Sequence, residues 1–227
     1  MVMVVGHRGA AGLAPENTLG GFRLALELGV DAVECDVRLT RDGHVVLCHD
    51  PTVDRTTDGS GLVAELDLRS IRRLDAGGGE RVPLLAELLE LLKGRCLLLC
   101  ELKAEEVTAP AVEVVLNAGM AAEVIFISFR PGCIAEVRSY GQSLRTGVLF
   151  GAPRAKALED ALDWGVEYVG AQYKYVSLAS VAKARQAGIR LGAWTPNEPE
   201  ELKAMLALGV DVITTDRPDV LLKLLDR

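Results

Sequence analysis

A chain of 227 residues fits one domain better than two and can bury roughly 70% of the surface its unfolded form exposes. Its formal charge is −7, from 32 acidic and 25 basic residues. With no long basic run, a nucleic-acid backbone is not the expected partner. Five cysteines, Cys35, Cys48, Cys96, Cys100 and Cys133, form no C-x-x-C pair and are odd in number, which argues against a secreted disulfide framework and for a reducing compartment.

The apolar stretch 1–5 runs at once into Gly6-His7-Arg8. It is too short for a signal-peptide core or a spanning helix of about 20 residues, and no other segment reaches that length. A cytoplasmic protein with no integral membrane association is expected; peripheral contact with a membrane stays open. Residues 2–5 read as a strand. After the turn-rich HRGAAGLAPEN comes a helix over 18–28, with Leu19, Phe22 and Leu26 on its apolar stripe. Gly29 closes it, because glycine readily takes the left-handed conformation at a helix end.

A second strand spans 32–37. Further strands are expected at 97–101, 124–128, 145–150, 168–170, 190–194 and 212–214. Helices are expected at 84–92, 110–117, 133–140, 155–164, 178–187, 199–208 and 220–225. A glycine followed by an apolar residue links helix to strand at Gly29-Val30, Gly165-Val166, Gly188-Ile189 and Gly209-Val210, the short turn that delivers a helix into the next parallel strand. Strand and helix alternating eight times predict an α/β chain folded as a closed (β/α)8 TIM barrel, one domain over 1–227. No GxGxxG fingerprint is present, and Gly77-Gly78-Gly79 does not follow a strand, so a dinucleotide site is not indicated.

One region breaks the rhythm. Arg41-Asp42-Gly43-His44 reads as a hairpin turn between 37–40 and 45–48. Residues 51–80 then form an insertion after the second strand, on the side of a barrel where loops build the site.

Chemistry-bearing residues collect at the strand ends. Glu34 and Asp36, two apart on a strand, point the same way while Cys35 points oppositely. Glu101 and Lys103 repeat the spacing on the next barrel strand. Three carboxylates there would repel one another unless a cation gathers them, and an all-oxygen set suits Mg2+ or Ca2+. The cysteines, out of phase with these acids, read as apolar fillers. His7 ends the first strand and His49 ends the hairpin strand, so both reach one mouth; His44 falls in the turn and is expected to be exposed.

Arg8 and Lys103 add positive charge. With a divalent ion the three carboxylates and these two cations sum to +1, a pocket suited to a phosphodiester monoanion and its more highly charged transition state. Pairing of Arg8 with Glu16 is the competing reading. Asn17 suits either a ligand contact or the start of the first helix. Trp194 suits either a pocket wall or the core.

These residues sit in motifs that resemble the glycerophosphodiester phosphodiesterase family of the bacterial, soluble type. The motifs are HRG at 7–9, PENT at 15–18, Glu-x-Asp at 34–36, LTRDGHVVLCHD at 39–50, DRTTDGSG at 54–61, LDAG at 74–77, VPLL at 82–85 and ELK at 101–103. SF at 128–129, WTPN at 194–197 and GVDVITTDRP at 209–218 continue the match over nearly the whole chain. WTPN stands where WTVN is commoner, and cysteines replace bulkier residues at 35 and 100. The resemblance implies hydrolysis of a glycerophosphodiester to glycerol 3-phosphate and an alcohol. It makes His7 and His49 the acid/base pair, Glu34, Asp36 and Glu101 the ligands of one divalent cation, and Arg8 and Lys103 phosphate contacts, with 51–80 covering the mouth. Asn17 and Trp194 join the expected substrate contacts.

The working order has His7 as base and His49 as acid, which sequence does not determine. Attack by water and attack by the neighbouring glycerol hydroxyl, through a cyclic phosphate, both fit. A lysophospholipase D-like activity and a non-catalytic phosphate-binding protein are the alternatives. The few large apolar residues of the insertion, such as Leu62, Val63, Leu66 and Leu68, favour a small substrate over a lysolipid.

Overall fold

The computed structural model describes residues 2–151 and 157–227. Among these, the strands are β1 (Met3–Gly6), β2 (Ala32–Leu39), β3 (Val45–Leu47), β4 (Leu97–Leu102), β5 (Val124–Ser128), β6 (Arg145–Phe150), β7 (Tyr168–Gln172), β8 (Arg190–Trp194) and β9 (Val212–Thr215). All but β3 run parallel in one ring, which closes where β1 pairs with β9 (Val4 opposite Ile213) and with β2 (Val5 opposite Ala32). The expected (β/α)8 barrel is therefore the fold. Strand β3 lies outside the ring, antiparallel to the far end of β2, with Val37 opposite Leu47 and Leu39 opposite Val45.

The helices are α1 (Leu19–Leu28), α2 (Leu68–Ile71), α3 (Leu85–Leu92), α4 (Thr108–Ala118), α5 (Pro131–Ser139), α6 (Ala157–Asp163), α7 (Leu178–Gln186), α8 (Pro199–Leu208) and α9 (Pro218–Leu224). Of the helix expected over 155–164, residues 155 and 156 lie outside the described residues. Helices α4, α5 and α9 begin two residues before their expected starts. In each a proline sits in the first turn, where a missing N–H removes no intrahelical bond. The four linking glycines adopt φ between 61° and 86°, the left-handed turn their spacing predicts. No helix among the described residues is long and apolar enough to cross a membrane.

Alternation along each strand sorts the apolar residues into two layers. Val5, Ala32, Leu99, Ile125, Leu149 and Val212 fill the barrel interior. Val4, Val33, Cys35, Leu98, Cys100 and Phe126 pack outward against the helices, with Phe22, Leu85 and Leu89 facing them. Tyr168, the largest buried side chain of the interior layer, fits because two neighbouring strands carry glycine beside it. A methyl group on Gly192 would stand 2.4 Å from the Tyr168 hydroxyl and one on Gly147 2.6 Å from its ring.

The 51–80 segment has a small core of its own, in which Val53, Val63, Ile71 and Ala76 pack on Val46, Cys48 and Val82. It includes α2 and a single 3-10 turn (Val63–Glu65), elements too short to leave a periodic signal. Arg72 anchors it to α3 by donating to both Glu87 oxygens, at 2.6 and 2.9 Å.

Candidate active site

Strand β2 turns Ala32, Glu34 and Asp36 into the barrel, and β4 turns Leu99 and Glu101 the same way; Asp36 stands directly opposite Glu101. All three acids are buried, and one oxygen from each lies within 4.8 Å of the others. Glu34 Oε1 and Asp36 Oδ1 have no hydrogen-bond partner, although Lys103 Nζ approaches Asp36 Oδ1 to 3.3 Å. Buried carboxylate oxygens left in this state are a donor set that suits a hard divalent cation. The five cysteines are unpaired and buried, four of them in the layer between strands and helices and Cys48 beneath the insertion.

The turn after β1 presents the first histidine. His7 N donates to Thr215 O at 2.9 Å, extending the β1–β9 ladder by one residue. Arg8 then takes φ 49° and Gly9 φ 89°, which aims the Arg8 N–H at Glu34 Oε2, 3.0 Å away. Residue 9 must be glycine, because a Cβ there would also lie 2.7 Å from the backbone of Gly21.

Each histidine is backed by a carboxylate. His7 Nδ1 lies 2.6 Å from Asp216 Oδ1, and Asn197 holds the other Asp216 oxygen at 2.6 Å. His49 Nδ1 lies 2.6 Å from Asp50 Oδ1, and the fork of Arg38 donates to the His49 carbonyl at 3.0 and 2.7 Å. Such contacts select the tautomer with the proton on Nδ1 and leave Nε2 free. His7 Nε2 is 3.8 Å from Glu34 Oε2.

Two cations thread the acids. Lys103 Nζ donates to Glu101 Oε1 at 2.6 Å. Arg8 Nε lies 3.1 Å from Asp36 Oδ2 while its Nη1 donates to Glu16 at 2.9 Å. Arg8 thus makes the pairing with Glu16 that its sequence left as the competing reading, and lines the site's cavity as well. Burial alone would raise the Asp36 pKa, but Lys103 and Arg8 outweigh it and hold the carboxyl down to about 2. Burial and the charge on Asp36 push Glu101 up to about 7. Burial, Asp36 and Glu101 raise Glu34 well above the usual range. Burial lowers the pKa of His49, only partly offset by Asp36 and Asp50.

A cavity of about 230 Å³ opens among these groups. Its lining combines His7, Arg8, Glu34, His49, Glu101 and Lys103 with Ile127, Phe129, Leu149, Tyr168, Trp194 and two threonines, Thr195 and Thr214. Trp194 therefore lines the cavity, with Phe129 edge-on to it at 5.6 Å. Asn17 does not line this cavity. It is 4% exposed; its Nδ2 donates to Asp36 Oδ2 at 2.9 Å and its Oδ1 accepts from Asp36 N. The cap of α1 is Thr18, whose hydroxyl accepts from Gly21 N. Of the Asn17-Thr18 pair, Thr18 starts the helix, and the Asn17 amide braces a carboxylate.

Sequence reasoning named Glu16 as a partner of Arg8 but missed Asp216, Asn197, Asp50, Arg38 and Arg55. Asp216 follows β9 and Asp50 follows His49 directly, so acids next to strand ends were the available signal. The further acids outnumber the further arginines, which cancels the expected surplus of +1.

Fold and site together define a barrel enzyme whose centre sets buried carboxylates beside two carboxylate-backed histidines. The glycerophosphoryl diester phosphodiesterase family model matches residues 7–220. A glycerophosphodiester phosphodiesterase of Caldanaerobacter subterraneus subsp. tengcongensis is 34% identical over 98% of this chain and 97% of its own. The crystal structure of the glycerophosphodiester phosphodiesterase of Agrobacterium tumefaciens C58 superposes with a TM-score of 0.86 at 30% identity, covering 97% of this chain and 99% of that one. An Oleispira antarctica phosphodiesterase in complex with the product sn-glycerol-3-phosphate gives 0.91 at 26%, covering 99% and 97%. The chain belongs to the glycerophosphoryl diester phosphodiesterase family and is a phosphoric diester hydrolase.

Proposed function

We propose that the chain hydrolyses small glycerophosphodiesters to glycerol 3-phosphate and an alcohol, with His7 and His49 exchanging the protons and Glu34, Asp36 and Glu101 holding one divalent cation, Mg2+ or Ca2+. The observation that carries the reading is the one cavity lined by both imidazoles, Glu34, Glu101, Arg8 and Lys103, with Asp36 buried against Glu34 and Glu101. The family relationship and the sn-glycerol-3-phosphate held by the Oleispira antarctica relative support the substrate class.

The bound cation would supply positive charge against the phosphate oxygens as negative charge grows in the transition state. Arg8 and Lys103 sit beside it and would grip the remaining oxygens. One imidazole takes the proton of the attacking water or glycerol hydroxyl as the new P–O bond forms. The other gives its proton to the alcohol oxygen as the old P–O bond breaks. Asp216 and Asp50 keep Nε2 of each ring available for these transfers, and the Trp194 and Phe129 wall packs against the carbon skeleton. A cavity of about 230 Å³ favours a headgroup-sized diester over a lysolipid. Five buried, unpaired cysteines favour a reducing, cytoplasmic setting.

His7 as base and His49 as acid is the first order to test. The reverse has one observation in its favour, because burial favours neutral His49, the form a base needs. A glycerophosphoryl p-nitrophenyl ester separates them: its leaving group hardly needs protonation, so the variant of the acid keeps far more activity on it than the variant of the base.

The central experiment assays metal-stripped enzyme, with Mg2+ or Ca2+ restored, on glycerophosphocholine and lysophosphatidylcholine, scoring glycerol 3-phosphate. Release from the first and little turnover of the second is expected. Full activity after verified removal of metal would remove the cation from the reading, and preference for lysophosphatidylcholine would replace the substrate class. A cyclic phosphate seen by phosphorus NMR would mark attack by the glycerol hydroxyl.

A further inference from the structure

We propose that Arg55, contributed by the 51–80 insertion, is a positioning residue that fixes both the His49 imidazole and the Arg8 guanidinium. The insertion would then help set the geometry of the centre. The inference rests on the reading that His49 and Arg8 act on the substrate.

The Arg55 guanidinium makes three short hydrogen bonds to two acids from different parts of the chain. Nε donates to Asp50 Oδ2 at 2.6 Å; Nη1 and Nη2 donate to Glu16 Oε2 and Oε1 at 2.7 and 2.8 Å. The remaining Asp50 oxygen holds His49 Nδ1, and Glu16 Oε1 also accepts from Arg8. A continuous chain of contacts thus runs from the His49 ring through Asp50, Arg55 and Glu16 to Arg8. Only a planar fork can span it, since a lysine ammonium is a point charge that cannot meet three oxygens in two directions.

Asp36 also steadies Arg8, whose Nε lies 3.1 Å from Asp36 Oδ2, but among the described residues the Asp50 carboxylate has no side-chain partner besides His49 and Arg55. Strand β3 ends at Leu47, so Asp50 lies in irregular chain, and adjacent residues have no periodic reason to face one another. The His49 side chain is one-third exposed, too open for packing to settle its ring. Arg55 itself is 48% exposed, where ion pairs contribute little to stability. Three donors converging at such a place therefore matter more for aim than for holding the fold.

The test compares R55A, R55K, D50N and E16Q in the full chain with Mg2+, measuring kcat and KM on glycerophosphocholine. Imidazole 15N–1H spectra of the substrate-free proteins supply a readout independent of turnover. R55A should lower kcat by about 10- to 100-fold, the usual loss when a group orienting a site residue is removed, and should raise KM. D50N should reproduce mainly the kcat loss, through His49, and E16Q mainly the KM rise, through Arg8. Guanidinium ion added at millimolar concentration should recover part of the R55A activity and none in wild type. R55K should fall between, and carries the test if R55A folds poorly. In the spectra, His49 should change from one tautomer with Nδ1–H to an exchanging mixture in R55A. Unchanged kcat, KM and His49 signals in a folded R55A would overturn the proposal. Should wild type turn over no glycerophosphodiester, the functional reading fails, and the His49 spectrum still decides whether Arg55 orients the ring.

Discussion

Asp216 and Asp50 do the same work for two histidines that sit far apart in the chain. Each accepts from a ring Nδ1 at 2.6 Å and leaves Nε2 beside the cavity. Replacing His7 or His49 by alanine should lower kcat by about 10²- to 10⁴-fold, the usual worth of a proton transfer. Both rings sit at the mouth with side chains 18% and 33% exposed, so the melting temperature should hardly move. Steady-state kinetics beside a thermal melt checks both statements; two variants with near-normal kcat would remove the paired role. The histidines, the carboxylates and both cations of the site were legible as residues at strand ends. Asn17 was not, because side-chain amides serve ligands and carboxylates equally well, and only the contact with Asp36 separates the two.

Among the elements, β8 and the turn from α1 into β2 give the sharpest expectations. Gly192→Ala on β8 pushes a methyl group to 2.4 Å from the Tyr168 hydroxyl. Overpacking of this kind costs about 1–3 kcal/mol, roughly 2–4 °C of melting temperature per kcal/mol in a chain of this size. Pairing it with Tyr168→Phe should recover part of the loss; a Gly192→Ala protein that melts with wild type would show that the ring can yield. Asp31, in the turn, accepts from Arg227 Nη1 and Nη2 at 2.9 and 2.7 Å and from Val4 N at 2.8 Å. Burial would raise its pKa, yet Arg227 and Val4 outweigh that and lower it. A carboxyl with a depressed folded-state pKa stabilises the fold above its unfolded value of about 3.9 and ceases to as pH falls through the folded one. Asp31→Asn keeps the acceptor for Val4 and loses the charge. With the pair about one-third exposed, solvent screening limits the expected loss to about 1 kcal/mol or less at pH 7. Thermal melts of both proteins should converge as pH falls through the folded value; a gap as wide in acid as at pH 7 would show that charge is not the cause. The period-2 and period-3.6 patterns marked these elements to within a few residues, whereas α2 is too short for any period to register.

At the scale of the whole molecule, closing the ring forces Glu34, Asp36 and Glu101 into one buried cluster, and the fold itself bears the repulsion. Glu101 is pushed up to about 7 and Glu34 is raised well above the usual range, each by burial and the neighbouring acids. A carboxyl raised in the folded state contributes stability that is fully present below the unfolded value of about 4.3 and is lost as pH rises through the folded one. Metal-stripped protein should therefore lose melting temperature from about pH 4.3 to 7 and beyond. A divalent cation needs the ionised acids, so Mg2+ or Ca2+ should raise the melting temperature more at pH 8 than at pH 5. At 100 times its dissociation constant the stabilisation is about 2.7 kcal/mol; an equal shift at both pH values would exclude the carboxylates as the ligands. The sequence by itself determined the repeating strand and helix, the face each strand residue takes, and hence which acids and histidines approach one end, because backbone periodicity is a local property. Only the tertiary structure decided that Asp216 backs His7, that Arg55 reaches Glu16 across 39 positions and that Asn17 turns to Asp36. Those pairings depend on ring closure and on how an irregular insertion folds back, and neither distance nor direction across a barrel is encoded in the spacing of residues along it.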